Sequence, residues 1–277
     1  DIVNTYIRTI EVSYVKCNVT NSTIVCASII NVNNTYIADR NASPITVRTD
    51  DSGYYKVRPS KNRNVDKYYY LEVITDENTQ MLCDIDIGCE SSSGSTASFG
   101  EPFSLATGFT LSNVVKSKRG RIRHAPISPL THLAINKAQS LPGGISPSNI
   151  LTAQQFIENK FELGDGALEL TPTDLTSISE IRRLKSKKLK LGLIAASFMP
   201  YIEQAEWDNL STLPISDIVL KANQMANFLN TSSLSTRNAS TLSALEADTL
   251  SHYNDLTAMT TPLLISEQPT SISVTEG

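Results

Sequence analysis

The sequence predicts an α+β multidomain protein, in which an N-terminal β-sandwich is followed by an all-α helical bundle, and three observations carry that prediction. Apolar and polar residues alternate with period two through much of residues 1–112. From residue 128 onward the apolar residues recur at helical spacing. A length of 277 residues suits two domains. We expect the sandwich over 1–112, a linker over 113–127, the bundle over 128–262, and a linker with the first strand of another β-domain over 263–277.

The β-region is predicted from short runs that have turn signals between them. Residues 10–16, 23–30 and 45–49 are rich in β-branched or alternating apolar residues, and 68–75 is the strongest strand. Residues 50–53, Asp-Asp-Ser-Gly, separate two such runs and are typical of a hairpin turn. Short strands at this spacing favour a sandwich.

The helical region is predicted from apolar faces and capping signals. Ser177 and Glu180 have capping-box spacing at the start of a long helix. Beyond Leu189 that helix is apolar on nearly every side, so we expect it in the core until Pro200 kinks or ends it. Three further helices are marked by apolar residues on one face, namely Ile150, Ala153, Ile157 and Phe161; Ile218, Ala222, Met225 and Leu229; and Leu242, Leu245, Thr249 and Leu256.

Composition excludes several classes of protein. Hydrophobic residues make up 40% of the chain and charged residues 19%, which is not a disordered composition. The formal net charge of −4 does not favour binding to nucleic acid. No apolar run approaches the roughly 20 residues that span a bilayer.

The four cysteines all lie in the first third of the chain, at Cys17, Cys26, Cys83 and Cys89. Local pairing, Cys17 with Cys26 and Cys83 with Cys89, is the simplest of the three possible connectivities. A zinc site is disfavoured, because its cysteines are usually two to four residues apart. Disulfides imply an oxidising compartment, so we expect a secreted or outer-surface location.

Two segments resemble a known arrangement. Residues 49–57 read T-D-D-S-G-Y-Y-K-V and resemble a hairpin of transthyretin-like, carboxypeptidase-regulatory-like domains. Residues 127–134, I-S-P-L-T-H-L-A, are similar to a segment that follows such domains in large bacterial surface proteins with immunoglobulin-like repeats. The resemblance implies a positive φ at Gly53, an aromatic residue in the sandwich core and a helical region next. It also implies further immunoglobulin-like domains, because residues 268–277 look like the first strand of one.

No catalytic constellation is evident. The three histidines, His124, His132 and His252, lie outside any H-E-x-x-H motif, and neither G-x-S-x-G nor a P-loop occurs. We expect His132 on a helix surface or half-buried, and His252 on the apolar side of the last helix. The resemblance adds no catalytic residues, so the sequence favours a protein that is not an enzyme.

A calcium site is the metal site that the sequence allows, and no other cofactor is expected. Asp84, Asp86 and Glu90 lie in or beside the predicted Cys83–Cys89 loop. Asp39, Asp50 and Asp51 lie on neighbouring turns. Calcium takes carboxylate oxygens on loops. Ordinary turn chemistry explains the same residues and is favoured.

Two basic runs could dock an anionic ligand. The first includes Lys116, Lys118, Arg119, Arg121 and Arg123. The second includes Arg182, Arg183 and Lys187, with Lys188 and Lys190 beyond. Solvated strand and helix faces are the favoured interpretation, and anionic polysaccharide is the functional alternative. Nucleic acid is disfavoured, since the runs lack interleaved aromatic residues.

Tyrosines cluster on two predicted strands, at Tyr54, Tyr55 and Tyr68 to Tyr70. Core packing and cross-strand pairs are favoured for them. An exposed strip for stacking on a glycan is the alternative.

The favoured function is a non-catalytic extracellular module of a bacterial cell-surface protein. It would support adhesion or biofilm attachment to a glycan, a host surface or matrix, or it would act as a spacer. The first alternative is an accessory region of a secreted peptidase or glycosidase whose catalytic domain lies outside this chain. A second alternative is a helical module that holds a small apolar ligand at the apolar segment 189–199.

Overall fold

The computed structural model describes residues 10–11, 19–41, 44–57, 67–91, 94–117, 125–177, 181, 186–201, 209 and 211–231. Within these residues a β-sheet region is followed by four α-helices, so the predicted order of β before α is confirmed. The helix predicted around Leu242 to Leu256, the strand predicted at the C-terminus and Glu180 of the predicted capping box lie outside the described residues.

Eleven strands are described in the N-terminal part. They are β1 (Ile10–Glu11), β2 (Thr23–Val32), β3 (Thr35–Asp39), β4 (Ile45–Arg48), β5 (Lys56–Val57), β6 (Lys67–Ile74), β7 (Gln80–Leu82), β8 (Cys89–Glu90), β9 (Thr96–Ala97), β10 (Pro102–Ser104) and β11 (Thr110–Ser117). All of the ladders between them are antiparallel.

The largest sheet is built around the long strand β2. On one edge β2 pairs with β6, with Cys26 opposite Leu71, and β6 pairs in turn with β11. The other edge of β2 is shared by β4, which pairs with its first half, and β3, which pairs with its second half. Strands β1 and β5, β7 and β10, and β8 and β9 form three two-stranded ladders beside this sheet.

Both faces of the large sheet are covered. Because side chains alternate along a strand, Ile24, Leu71 and Val73 point into one core, which contains residues of β5, β7 and β10 and continues into the helices. Tyr70 and Val114 point the opposite way, into a second cluster formed with helical residues. The sequence predicted a helical bundle after the β-region and left open whether the two pack together, and in the structure helical residues cover the second face of the sheet.

The turn predicted at residues 50–53 is present, but the flanking strands do not form a hairpin, because β4 pairs with β2 and β5 pairs with β1 in a different sheet. The carboxylate of Asp50 accepts hydrogen bonds from the backbone N–H of Ser52 and of Tyr54, both at 2.9 Å. Gly53 has a φ of 73°, which a residue with a Cβ rarely adopts. Tyr55 is buried, as expected, and its hydroxyl donates to the carbonyl of Ala125 at 2.8 Å.

The four α-helices are α1 (Pro129–Gln139), α2 (Pro147–Lys160), α3 (Ser186–Ala196) and α4 (Ile215–Thr231). Ser128 caps α1, because its hydroxyl accepts from the N–H of Thr131 while the Thr131 hydroxyl accepts from the N–H of Ser128. A proline follows the cap in both α1 and α2, where its missing N–H costs nothing.

The predicted helical faces agree with the burial pattern. Ile150, Ala153 and Ile157 of α2 are buried, and so are all four predicted residues of α4. Helix α3 is buried along its whole second half and ends at Ala196, before a 3₁₀ turn that contains Pro200. Even Lys190 is buried, so this part of the basic run is not a solvated face.

The sheet and the helices are joined by direct contacts. Strand β11 extends to Ser117, into the segment predicted as a linker. The side-chain amide of Asn113 donates to the carbonyl of Pro126 at 2.6 Å, and the hydroxyl of Thr131 donates to the carbonyl of Ser112 at 2.9 Å. Pairing of this kind covers the outer edge of β11, which would otherwise offer unpaired backbone groups.

The opposite edge is covered by the α1–α2 loop. The backbone N–H of Tyr36 donates to the carbonyl of Gly143 at 2.9 Å, and the N–H of Ile145 donates to the carbonyl of Tyr36 at 3.0 Å. Gly144 has a φ of 64°, and a Cβ there would lie 2.4 Å from the carbonyl oxygen of Tyr36. The loop therefore requires glycine to approach β3 so closely.

No helix within the described ranges combines the length and the apolar character needed to cross a lipid bilayer.

Candidate functional site

A groove among the described residues lies beside the loop that Cys83 and Cys89 close. Its volume is about 820 Å³, within the range of small-molecule sites. One wall is formed by residues 85–91 and by β9, and the other by Met199 and Pro200 of the 3₁₀ turn after α3. The groove therefore lies where the β-region meets the helices.

The floor of the groove is apolar. Phe103 and Leu105 are buried beneath it, and Met199 closes one end. Phe99 is half-buried and also lines the groove, and its ring meets the ring of Phe228 edge-to-face at 5.3 Å. The contact with α4 holds this ring in place, so an aromatic edge is available at the groove.

The rim of the groove is polar and acidic. Asp86 and Glu90 are exposed and line it, together with the hydroxyls of Thr96 and Ser98. Ile87 also lines the groove and is 69% exposed, which is unusual for a large apolar side chain. No lysine or arginine is among the described lining residues.

The predicted disulfide between Cys83 and Cys89 is confirmed, with a Cα–Cα distance of 5.6 Å. The predicted disulfide between Cys17 and Cys26 is wrong, because Cys26 is a free thiol. Its side chain is buried in the core of the sheet. Cys17 lies outside the described residues. Burial raises the pKa of the Cys26 thiol to about 12, so it behaves as a small apolar side chain.

Two of the carboxylates considered for calcium accept hydrogen bonds from backbone N–H groups of their own turns. Asp50 organises its own turn, and the side chain of Asp39 accepts from the N–H of Asn41 at 3.2 Å. Asp84 is buried, whereas Asp86 and Glu90 are exposed on the groove rim. Among the described residues no group of three or more histidines, cysteines or carboxylates is placed to hold a metal ion.

The described residues do not show a surface formed by the two basic runs, because most of these cations lie outside the described residues. Lys118, Arg119, Arg121, Arg123, Arg182 and Arg183 lie outside the described residues. The ammonium of Lys116 lies 5.7 Å from the centre of the Tyr68 ring. The ammonium of Lys187 donates to the carbonyl of Asp165 at 2.5 Å. These two lysines therefore have structural contacts of their own.

The tyrosines follow the interpretation that the sequence favoured. Tyr55, Tyr69 and Tyr70 are buried, and burial raises the pKa of each phenol. Tyr54 is 45% exposed, and Tyr68 is half-buried. A continuous exposed tyrosine strip is therefore absent from these two strands as far as they are described.

A polar network that is buried except for Arg40 connects the sheet to α1, and the sequence did not predict it. The guanidinium of Arg40 donates to the carboxylate of Glu72 at 2.7 Å, and the Tyr70 hydroxyl donates to the same oxygen at 3.1 Å. Tyr70 also hydrogen-bonds to Ser112, whose hydroxyl lies 3.0 Å from Nδ1 of His132. The alternation of Tyr70 and Glu72 with apolar neighbours on a strand was the available signal.

The contact between Ser112 and His132 has the residue types of a nucleophile and a base. Ser112 is 1% exposed and His132 is 8% exposed, so a substrate carbonyl has no approach to this hydroxyl. Nucleophilic catalysis needs a position about 3 Å from the nucleophile where a reacting atom can lie. We therefore assign the pair to packing between β11 and α1, and the expectation of a half-buried His132 is corrected to a buried one.

The chain was compared with known proteins. No protein-family model matches it, no curated protein matches it, and no solved structure matches it.

Proposed function

We propose that this chain is a non-catalytic extracellular module of a bacterial cell-surface protein and that it attaches to a glycan through the groove beside the Cys83–Cys89 loop. The observation that carries the proposal is the groove itself. A disulfide braces one wall, aromatic side chains line the groove, and an exposed isoleucine and two exposed carboxylates lie on its rim.

The chemistry of the groove suits a glycan that is neutral or carries amino groups. Carboxylates accept hydrogen bonds, and hydroxyls both donate and accept them. Asp86, Glu90, Thr96 and Ser98 therefore offer partners for sugar hydroxyls. Phe99 and Ile87 offer apolar contact for the C–H faces of a sugar ring. An anionic sugar is disfavoured here, because like charges repel.

The extracellular location is supported by the disulfide, which persists in oxidising compartments. The resemblance of residues 49–57 and 127–134 to segments of bacterial surface proteins supports the cell surface. Under the same proposal the β-region is a divergent transthyretin-like sandwich, with the two-stranded ladders as its second layer. Further immunoglobulin-like domains of the same chain would carry it away from the cell.

The proposal is tested with a glycan array and a matched set of variants. The test variants are Asp86→Ala, Ile87→Ser and Glu90→Ala, all at exposed positions on the groove rim. The controls are Ile37→Ser and Glu77→Ala, which change the same residue types at exposed positions away from the groove. Exposed substitutions usually change stability by no more than about 0.5 kcal/mol, so folding is preserved.

We expect the wild-type protein to retain neutral or amino glycans and the rim variants to bind them about fivefold more weakly, since each lost hydrogen bond or apolar contact contributes about 1 kcal/mol. The control variants should bind like the wild type. Retention of no glycan by the wild type, or equal binding by all variants, would contradict the proposal. Glycan turnover during the assay would contradict the non-catalytic part.

A further inference from the structure

A second pocket of opposite charge lies at the far ends of α1 and α2. Its volume is about 660 Å³, and it is lined by the last turns of both helices and by Asn209, Ser211 and Ile215, which lie at or just before the start of α4. None of its lining residues belongs to the groove at the disulfide loop. A ligand here would therefore be bound independently of one in the groove.

The lining of this pocket carries positive charge. Lys137 and Lys160 both line it, and no aspartate or glutamate is among the described lining residues. Lysines in the last turn of a helix interact favourably with its dipole. That effect explains where they lie along the helices, but it does not explain the exposed aromatic ring beside Lys137.

The ring is Phe156 of α2. It is 43% exposed and lines the pocket, and the ammonium of Lys137 lies 5.1 Å from its centre. Because the side chain is 43% exposed, part of the ring remains accessible to a ligand. The arrangement thus offers a cation and an aromatic ring side by side.

Neutral polar groups complete the lining. Asn136 and Gln139 of α1 present amides, and Ser140 and Ser211 present hydroxyls. Amides and hydroxyls donate and accept hydrogen bonds and thus match sugar hydroxyls. Lysine pairs with a carboxylate by a charge-assisted hydrogen bond, which is about twice as strong as a neutral one.

We infer that the pocket between the ends of α1 and α2 binds a carboxylate-bearing sugar of the uronic acid class. The sugar ring packs on Phe156, the carboxylate pairs with Lys137, and the amides of Asn136 and Gln139 bind the hydroxyls. This pocket favours an anionic sugar, whereas the groove favours a neutral or amino sugar. One module would therefore recognise two chemically different glycans.

The test is a calorimetric titration of the protein with a trimer of galacturonic acid, beside a trimer of galactose and inorganic phosphate, at low and at physiological salt. Lys137→Met removes the charge and keeps the apolar stem, and Phe156→Ser removes the ring. The matched controls are Lys188→Met on α3 and Leu151→Ser, a 57% exposed position of α2 outside the pocket. Thermal melts confirm that each variant is folded.

We expect the acidic trimer to bind, more weakly as salt rises, and the neutral trimer not to bind at this pocket. Any heat from the neutral trimer should come from the groove, and it should therefore be unchanged by Lys137→Met and Phe156→Ser and reduced by Glu90→Ala. Lys137→Met should weaken binding about 10- to 100-fold, and Phe156→Ser about 2- to 10-fold, with both controls unchanged. The groove variant Glu90→Ala should bind the acidic trimer normally, which separates this site from the proposed attachment groove.

Three results with the trimers would overturn the inference. They are the absence of heat with the acidic trimer at concentrations of about 10 mM, binding of the neutral trimer that Lys137→Met and Phe156→Ser weaken as much as they weaken binding of the acidic trimer, and binding of the acidic trimer that survives both pocket substitutions. Binding of phosphate alone would show an anion site without sugar recognition and would also overturn it.

Discussion

The Cys83–Cys89 disulfide closes a short loop, and its contribution to stability follows from the length of that loop. The two cysteines are six residues apart. In the chain-entropy model a loop of this length removes about 7 cal/mol/K from the unfolded chain, or about 2 kcal/mol at 25 °C. Reduction of the bond leaves both sulfur atoms packed in the core, so only the restraint on the unfolded chain is lost. The free energy of unfolding should therefore fall by about 2 kcal/mol.

The assay is urea unfolding followed by circular dichroism, with and without a phosphine reductant. The variant with Cys83→Ala and Cys89→Ala is the control, because it should not respond to the reductant if Cys26 is a free thiol. A loss below about 0.5 kcal/mol in the wild type would refute the reasoning about loop entropy. A response of the double variant to reductant would show that another disulfide exists.

Three further predictions concern buried groups. Cys26, with its pKa raised by burial to about 12, should react with iodoacetamide at pH 8 in denaturant and not in buffer, as read by mass spectrometry. Gly144→Ala should cost about 2–4 kcal/mol in urea unfolding, through the positive φ and the contact with the carbonyl of Tyr36. Burial raises the pKa of Tyr55 well above 10, so the folded state keeps a proton that the unfolded chain releases. Stability should therefore fall as pH rises past about 10, by about 1.4 kcal/mol per pH unit for this group.

Each of these predictions has a matched comparison. A Cys26 that stays unlabelled in denaturant until reductant is added would show that it is disulfide-bonded. Gly166 also has a positive φ, of 71°, but a Cβ there would meet open space. Gly166→Ala should therefore destabilise the protein less than Gly144→Ala does. Equal losses of stability would contradict the argument from the Tyr36 contact. Tyr55→Phe should reduce the alkaline loss of stability, and an unchanged slope would contradict the assignment to Tyr55.

Local signals in the sequence were sufficient to predict the turn at residues 50–53, the buried face of α2 and the Cys83–Cys89 disulfide. Asp50 and Gly53 mark a turn through their own backbone chemistry, and the apolar spacing of Ile150, Ala153 and Ile157 marks the buried face of α2. Such features depend on neighbours a few residues apart. The same holds for Cys83 and Cys89, since closing a short loop costs little chain entropy.

Contacts between distant parts of the chain could not be predicted in the same way. The sequence suggested two modules because its apolar period changes near residue 128. It contains no local signal that α1 and α2 cover the second face of the sheet or that the loop at Gly144 pairs with β3. The error at Cys26 has the same origin, because its neighbours across the sheet decide that it faces the core.

Both candidate sites also depend on distant contacts. The groove joins residues 85–99 to Met199 and Pro200, and the second pocket joins Lys137 and Phe156 to Ser211. Composition drew attention to the basic runs and the tyrosines instead. Lysines of those runs at 116 and 187 hold structural contacts, and most of the tyrosines in question are buried.

The most direct test of attachment through the groove is amide hydrogen exchange of the wild-type protein with and without a glycan that the array retains. Binding slows exchange where backbone amides lose access to solvent or their loop is stabilised. We predict that protection is concentrated in residues 85–91 and 94–99, which include the described wall and rim of the groove. Protection confined to other parts of the chain, or no protection at saturating glycan, would contradict the account.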